Sequence, residues 1–286
     1  MLELTGFGNV LRGIGLLYWV LAIGVVFLAI RYGKGTRGKI IWAAVAIAAF
    51  GYLPGKALIE QHQRDAYAKE AWAYFKKLCD EKSGEKIYKT HTGVKSVLVV
   101  KPLPPATERD LFDKFWMGDP YSDATPWDRR GEQQGQTLIG QQRFISGRGE
   151  IGFEFFEQKI TANDGQAFQR VEPSQVPPYF VSKSSIQKPA SRFGVSWEDI
   201  STAEDRKYWV AGSRFRVIDL IDNSIVAERI GFFIEAGFGS TAGQRRPWLT
   251  SRGPSTTCPS LSNGTFEDRW FILKVLNPIE GKQDGK

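Results

Sequence analysis

The chain has 286 residues, a net charge of +7, two cysteines and two histidines. That is enough length for one sizeable core beside a smaller N-terminal part. Residues 1–59 carry Arg12, Arg31, Lys34, Arg37, Lys39 and Lys56 against Glu3 alone, a balance of +5, so only +2 remains for everything after. A nearly neutral main domain gives no electrostatic footprint for nucleic acid. The N-terminal excess reads instead as topology signal and attraction to anionic lipid.

Gly13 to Ile30 is eighteen residues without a charge, and Ile40 to Ile59 is a second apolar block with Pro54 and Lys56 near its end. Each is close to the length a helix needs to cross a hydrocarbon core. The first run is too long for a typical signal-peptide core, and no Ala-x-Ala-like site precedes the basic residues. Between the blocks, Arg31, Lys34, Arg37 and Lys39 face no acid, and short positive loops stay in the cytoplasm. The pattern predicts a transmembrane helical hairpin, residues 1–59, with spans at about 13–30 and 40–59 and a cytoplasmic loop at 31–39. Both termini and the domain at 60–286 would then be periplasmic, in a bacterial inner membrane. The alternative is a soluble protein with two buried helices. Tyr18, Trp19, Trp42 and Tyr52, towards the block ends, fit the membrane better.

In that topology Cys79 and Cys258 both meet an oxidising compartment, which predicts a disulfide. The bond would close a loop of roughly 180 residues, worth on the order of 5 kcal/mol in the chain-entropy model. Two buried free thiols are the alternative. A metal site is not expected, because Cys79, Cys258, His62 and His91 show no ligand spacing.

Leu58 to Asp80 reads as a helix leaving the membrane, with Tyr67, Ala71, Tyr74, Phe75 and Leu78 at helical spacing and Ser83-Gly84 as its stop. Lys86–Thr92 and Val94–Lys101 read as paired strands around Thr92-Gly93. Thr107–Met117 suggests a short helix capped by Thr107, with Leu111, Phe115 and Trp116 as its apolar side. Gly118–Gln136 is a long polar loop. Strands are expected at Thr137–Ile145 and Glu150–Thr161, then past the Asn163-Asp164-Gly165 turn through Phe168 and Val171. Pro173–Pro189 reads as irregular, and Arg192–Trp197 as another strand. Tyr208–Ile221 and Ser224–Ile234, joined by Asp222-Asn223, form the clearest hairpin, and Thr265–Leu276 closes the chain as helix or strand. The class is α+β, with a mainly antiparallel sheet and a few helices after the membrane hairpin.

Catalytic patterns are weak. His62 and His91 each read as a solvated residue, and no Gly-x-Ser-x-Gly elbow is present. The loop Gly237-Phe-Gly-Ser-Thr-Ala-Gly243 lacks the lysine and following helix of a phosphate loop, so it reads as structural. Asp110, Asp113, Asp119, Asp123 and Asp128 are interleaved with Arg109, Lys114, Arg129 and Arg130, as on a solvated face. No catalytic residue, metal ligand or cofactor is assigned.

The stretches KKLCDEKSGEKIYKTHTGVKSVLVVKP (Lys76–Pro102), GDPYSD (Gly118–Asp123) and Ile200–Ser260 cover roughly half of the domain, in order. Their spaced LC…GEKIYKT, DPY, EDR…W, AER and G…PW…CP elements resemble a family of proteobacterial inner-membrane-anchored proteins with a periplasmic domain. Some members lie near genes for interbacterial toxin delivery. Gln244-Arg245-Arg246 departs from the smaller glycine-rich segment expected there. The resemblance implies a tethered protein that binds a partner without catalysis, most specifically an immunity protein against an envelope-acting toxin. The alternative is an envelope enzyme or an assembly factor bound to membrane-complex subunits. Exposed Trp and Arg side chains favour interfaces, which makes Trp127, Arg129, Arg130, Arg245, Arg246 and Trp248 the partner-binding candidates. Inner-membrane lipid is the other expected partner, and nucleic acid is not one.

Overall fold

The computed structural model describes residues 3–32, 35–101, 106–118, 153–162, 165–174, 181–249, 253, 255–260 and 267–278. The chain forms two compact units, Met1–Lys69 and Glu70–Lys286. The predicted strand at Thr137–Ile145 and most of the predicted loop at Gly118–Gln136 lie outside the described residues.

In the first unit α1 (Glu3–Tyr32) pairs with the start of α2 (Gly35–Lys82). The Tyr18 hydroxyl donates to the Phe50 carbonyl, and the two rings meet edge-on at 5.8 Å. Ala22 and Ala46 are buried, whereas Leu16, Leu21, Phe27, Ile41, Ile47 and Leu53 are exposed. Two helices are therefore long and apolar enough to cross a membrane, with their apolar side chains facing outward. Helix begins again at Gly35, which shortens the loop expected at 31–39, and α2 continues through Pro54.

Among the described residues the second unit is built on one nine-stranded sheet. Its strands are β1 (Gly84–Ile87), β3 (Ser96–Lys101), β4 (Phe155–Ala162), β5 (Gly165–Pro173), β6 (Val181–Ile186), β7 (Phe193–Asp199), β8 (Val210–Asp219), β9 (Ser224–Ile234) and β10 (Thr257–Cys258). Along the sheet the order is β1-β9-β8-β7-β3-β4-β5-β6, with β10 also on β9. A parallel pair, β2 (His91–Val94) with β11 (Leu276–Pro278), makes a second small sheet. The remaining elements among the described residues are two 3-10 turns (Asp110–Phe112 and Ala242–Gln244), α3 (Ala203–Lys207) and α4 (Glu267–Val275).

The large sheet is mixed, because β3 runs parallel to both of its neighbours, β4 and β7. The predicted hairpin around Thr92-Gly93 is not formed: β1 pairs with β9, β2 with β11, and β3 takes the middle of the sheet. The reason is in SVLVVK, whose first four residues are all buried. A strand apolar on both faces gains most from a central place covered on both sides, a position typical of parallel strands. The hairpin of β8 and β9 forms as expected, with Asn223 in the left-handed region at φ 57°. β6 was not anticipated in Pro173–Pro189. Its Ser182–Ser185 segment has no apolar alternation, and it is held as an edge strand by its backbone ladder to β5.

Alternation along the strands divides the core. Val97, Val99, Val195, Trp197, Phe215 and Val217 pack with Phe271, Ile272 and Val275 of α4. On the other side Val210, Phe232 and Ile234 pack with Ala71, Phe75 and Leu78 from the end of α2. The Cys79–Cys258 disulfide joins that helical end to β10, with Cα atoms 5.7 Å apart. Glu157 of β4, fully buried, holds the turn before β7. Its carboxylate accepts from the Ala190 and Ser191 backbone N–H groups (2.9 Å each), the Ser191 hydroxyl (2.7 Å) and Arg170 (2.9 Å).

Candidate interaction surfaces

Trp127, Arg129 and Arg130 lie outside the described residues. Arg245, Arg246 and Trp248 belong to the loop that follows β9, and the structure turns all three towards the protein. Glu235, just past β9, is fully buried. Its carboxylate accepts from the backbone N–H groups of Gly237 (2.9 Å) and Gly239 (2.7 Å) and pairs with the Arg245 guanidinium. Both glycines lie in close approach to a neighbouring side chain. A Cβ on Gly237 would fall 1.2 Å from the Arg245 guanidinium, and one on Gly239, at φ 80°, would fall 2.2 Å from the Trp209 indole. Two of the amides that a phosphate would seek are thus already taken by an internal carboxylate.

Arg246 pairs with Glu108, which ties the loop to the 107–118 segment. Trp248 is completely buried rather than exposed. Its indole N–H donates to the Asp113 carbonyl (2.7 Å), its backbone N–H donates to the Leu111 carbonyl (3.2 Å), and its ring lies 5.1 Å from that of Trp209. Behind it is Arg206, also fully buried, with its guanidinium 4.9 Å from the Trp248 ring. Arg206 donates to the Gly118 carbonyl (2.9 Å) and to Asp199 (3.1 Å). The helix expected over Thr107–Met117 is reduced to the 3-10 turn, opened by the reciprocal bonding of Thr107 and Asp110. Backbone groups of Leu111, Asp113 and Gly118 are engaged by Trp248 and Arg206 instead of by a continuing helix.

Outside this clamp the segment shows Phe112, Phe115 and Met117 to solvent. Lys114 lies 5.9 Å from the Trp209 ring, and burial lowers its pKa. A second apolar group stands at the far end of the β8–β9 hairpin. Ile221 is 75% exposed and Tyr88 60%, with Ile225 beside them. The Tyr88 and Lys89 backbone N–H groups both donate to the Val226 carbonyl (2.9 and 3.2 Å), which fixes Tyr88 beside the strand. The turn is held by its own acids: Asp219 accepts from the Ile221 N–H (3.1 Å) and Arg192 (2.7 Å), and Asp222 from the Ser224 N–H (2.9 Å). Hydrogen bonds from Arg192 and Ser224 hold the Asp219 and Asp222 carboxyls below the usual range.

No catalytic constellation is evident among the described residues, and no group of three or more His, Cys, Asp or Glu there could hold a metal. His62 is exposed on α2, while His91 is partly buried with its ring 4.6 Å from Phe193, not solvated as expected. Asp110 is occupied by Thr107, and Asp113 accepts from the Phe115 N–H; Asp119, Asp123 and Asp128 lie outside the described residues. No family model, curated protein or solved structure matches the chain.

Sequence reasoning passed over Tyr88, Ile221, Ile225, Phe112 and Met117. A signal existed for Ile221 and Ile225. Large apolar residues on either side of an Asp-Asn turn sit where a hairpin tip leaves the core, so they must be either covered or exposed.

Proposed function

We propose that this is an inner-membrane-anchored binding protein that captures a protein partner in the periplasm. The carrying observation is the rigidly held trio Tyr88, Ile221 and Ile225, exposed at the tip of the longest hairpin. An apolar group with an aromatic ring, flanked along the chain by Lys86, Lys89 and Asp222, has the composition of an interface core with a polar rim. α1 and α2 supply the anchor, with the basic Arg31–Lys39 stretch at their junction in the cytoplasm. The Cys79–Cys258 bond supports an oxidising compartment for the domain. The family resemblance makes an envelope-acting toxin the partner class, and immunity the outcome of binding.

The test uses the full chain in its own membrane, in cells exposed to envelope-acting toxins delivered by competitor bacteria. Wild type should retain one toxin stoichiometrically and protect the cells. The pair Ile221→Asp and Tyr88→Ala should lose both properties while keeping the disulfide and melting temperature, because exposed substitutions cost within about 0.5 kcal/mol. A deletion strain that survives every such toxin, or a tip variant that still captures fully, would overturn the reading.

A further inference from the structure

The second exposed apolar group, on the 107–118 segment, calls for a different partner. We propose that Phe112, Phe115 and Met117 are a lipid-contacting patch that seats the domain on a bilayer surface. The proposal rests on the reading of α1 and α2 as membrane spans.

Its first support is position within the domain. Glu70, the first residue of the second unit, accepts from the Tyr208 hydroxyl (2.7 Å), and Tyr74 donates to Asp205 (2.6 Å). The next residues along the chain, Arg206 and Trp209, are the ones that hold Gly118 and lie against Lys114. The patch is therefore built at the same end of this unit as Glu70, its first residue. The hairpin tip lies at the other end of β8, ten residues away, or roughly 30 Å at strand rise.

The second support is chemistry. Two phenylalanines and a methionine are exposed within six residues, while each neighbouring acid is already engaged. Glu108 is paired with Arg246, Asp110 with Thr107, and Asp113 with the Phe115 N–H. Lys114 lies 6.0 Å from the Phe115 ring, the arrangement of an ammonium whose stem runs along apolar surface. Aromatic rings with adjacent cations suit the headgroup boundary. With Arg109, Lys114 and Arg246 offsetting Glu108, Asp110 and Asp113, contact would be driven by apolar area and would resist salt.

The third support is rigidity. Trp248 and Arg206 clamp the segment from below, so seating the three side chains on lipid need not first order a loop. Lipid is also the apolar partner that a chain with two such helices carries with it.

The experiment places a single environment-sensitive fluorophore on the full chain in zwitterionic vesicles. Cys79 and Cys258 are bonded to each other, so Phe115→Cys supplies a unique thiol among the cysteines. Ile221→Cys is the matched control, and flotation with the vesicles reports the anchor independently. The expected result is a blue-shifted emission at position 115, quenched by lipids labelled near the headgroup and unchanged when salt is raised several-fold. The probe at 221 should remain water-like. Protein that floats while the 115 probe stays water-like overturns the patch and leaves the anchor intact. Equal shifts at both positions, or a shift at 115 only after a protein partner is added, overturn it as well. Failure to float overturns the anchor itself.

Discussion

Replacing Trp248 with alanine tests whether the clamp under the 107–118 segment is what the geometry says. The side chain is fully buried between Trp209, Phe233 and the Arg206 guanidinium. Removing a buried Trp side chain costs about 3–5 kcal/mol through lost transfer energy and the cavity left behind. The Asp113 carbonyl also loses its indole donor, about 1 kcal/mol. Burial of Arg206 beside a void adds to the cost, while partial collapse reduces it, so a net loss of about 4 kcal/mol is expected. Trp248→Phe keeps most of the ring and loses the donor, and should cost about 1–2 kcal/mol. Urea unfolding of the full chain in detergent gives the midpoint shift at constant slope. Hydrogen exchange should show the amides of Trp116 and Trp248 losing protection in the alanine variant before the β8–β9 ladder does. A loss below about 1 kcal/mol with those amides still protected would mean that Trp248 is not buried here and that the clamp is wrong.

Glu157→Gln removes a buried charge from a set of donors arranged for it, and should cost about 2–4 kcal/mol near neutral pH. Burial alone would raise the Glu157 pKa, but the Ser191, Ala190 and Arg170 hydrogen bonds outweigh it and hold the carboxyl below its ordinary value. The stability is therefore present above the unfolded carboxyl pKa of about 4.3 and is lost as pH falls through the lower folded value. Melting curves of wild type and variant should converge in acid, and a constant gap would contradict this. Reduction of the disulfide, or paired Cys79→Ser and Cys258→Ser changes, should lower stability by about 2–4 kcal/mol, below the roughly 5 kcal/mol entropic ceiling. An unchanged urea midpoint on adding dithiothreitol would show that the bond contributes nothing.

The parts of this fold that were legible in the sequence depend on local rules or on compartment. The Asp222-Asn223 turn and flanking apolar runs specify a hairpin by themselves. The pairing of Cys79 with Cys258, the chain's two cysteines, is the one intramolecular bond that an oxidising compartment would form. What was not legible is set by distant partners. SVLVVK looks like half of a hairpin until its burial on both faces gives it the centre of the sheet. Arg245 and Trp248 look like interface anchors until Glu235, Asp113 and Arg206 claim them. Composition favours Trp and Arg at interfaces, but the same residues are suited to buried cation–π clamps, and only tertiary neighbours decide which. β6 has the opposite problem: its pairing is entirely backbone, so its side chains carry no signal.

The bond between Cys79 and Cys258 also decides how the domain bears a mechanical load. A pull delivered through α2 would otherwise pass straight into β1, a four-residue edge strand that can be peeled from β9 one hydrogen bond at a time. With the cross-link in place, force leaves the helix at its last turn and enters β10, farther along the same edge of β9. The tension is then shared by two points of attachment on β9, and β1 no longer carries it alone.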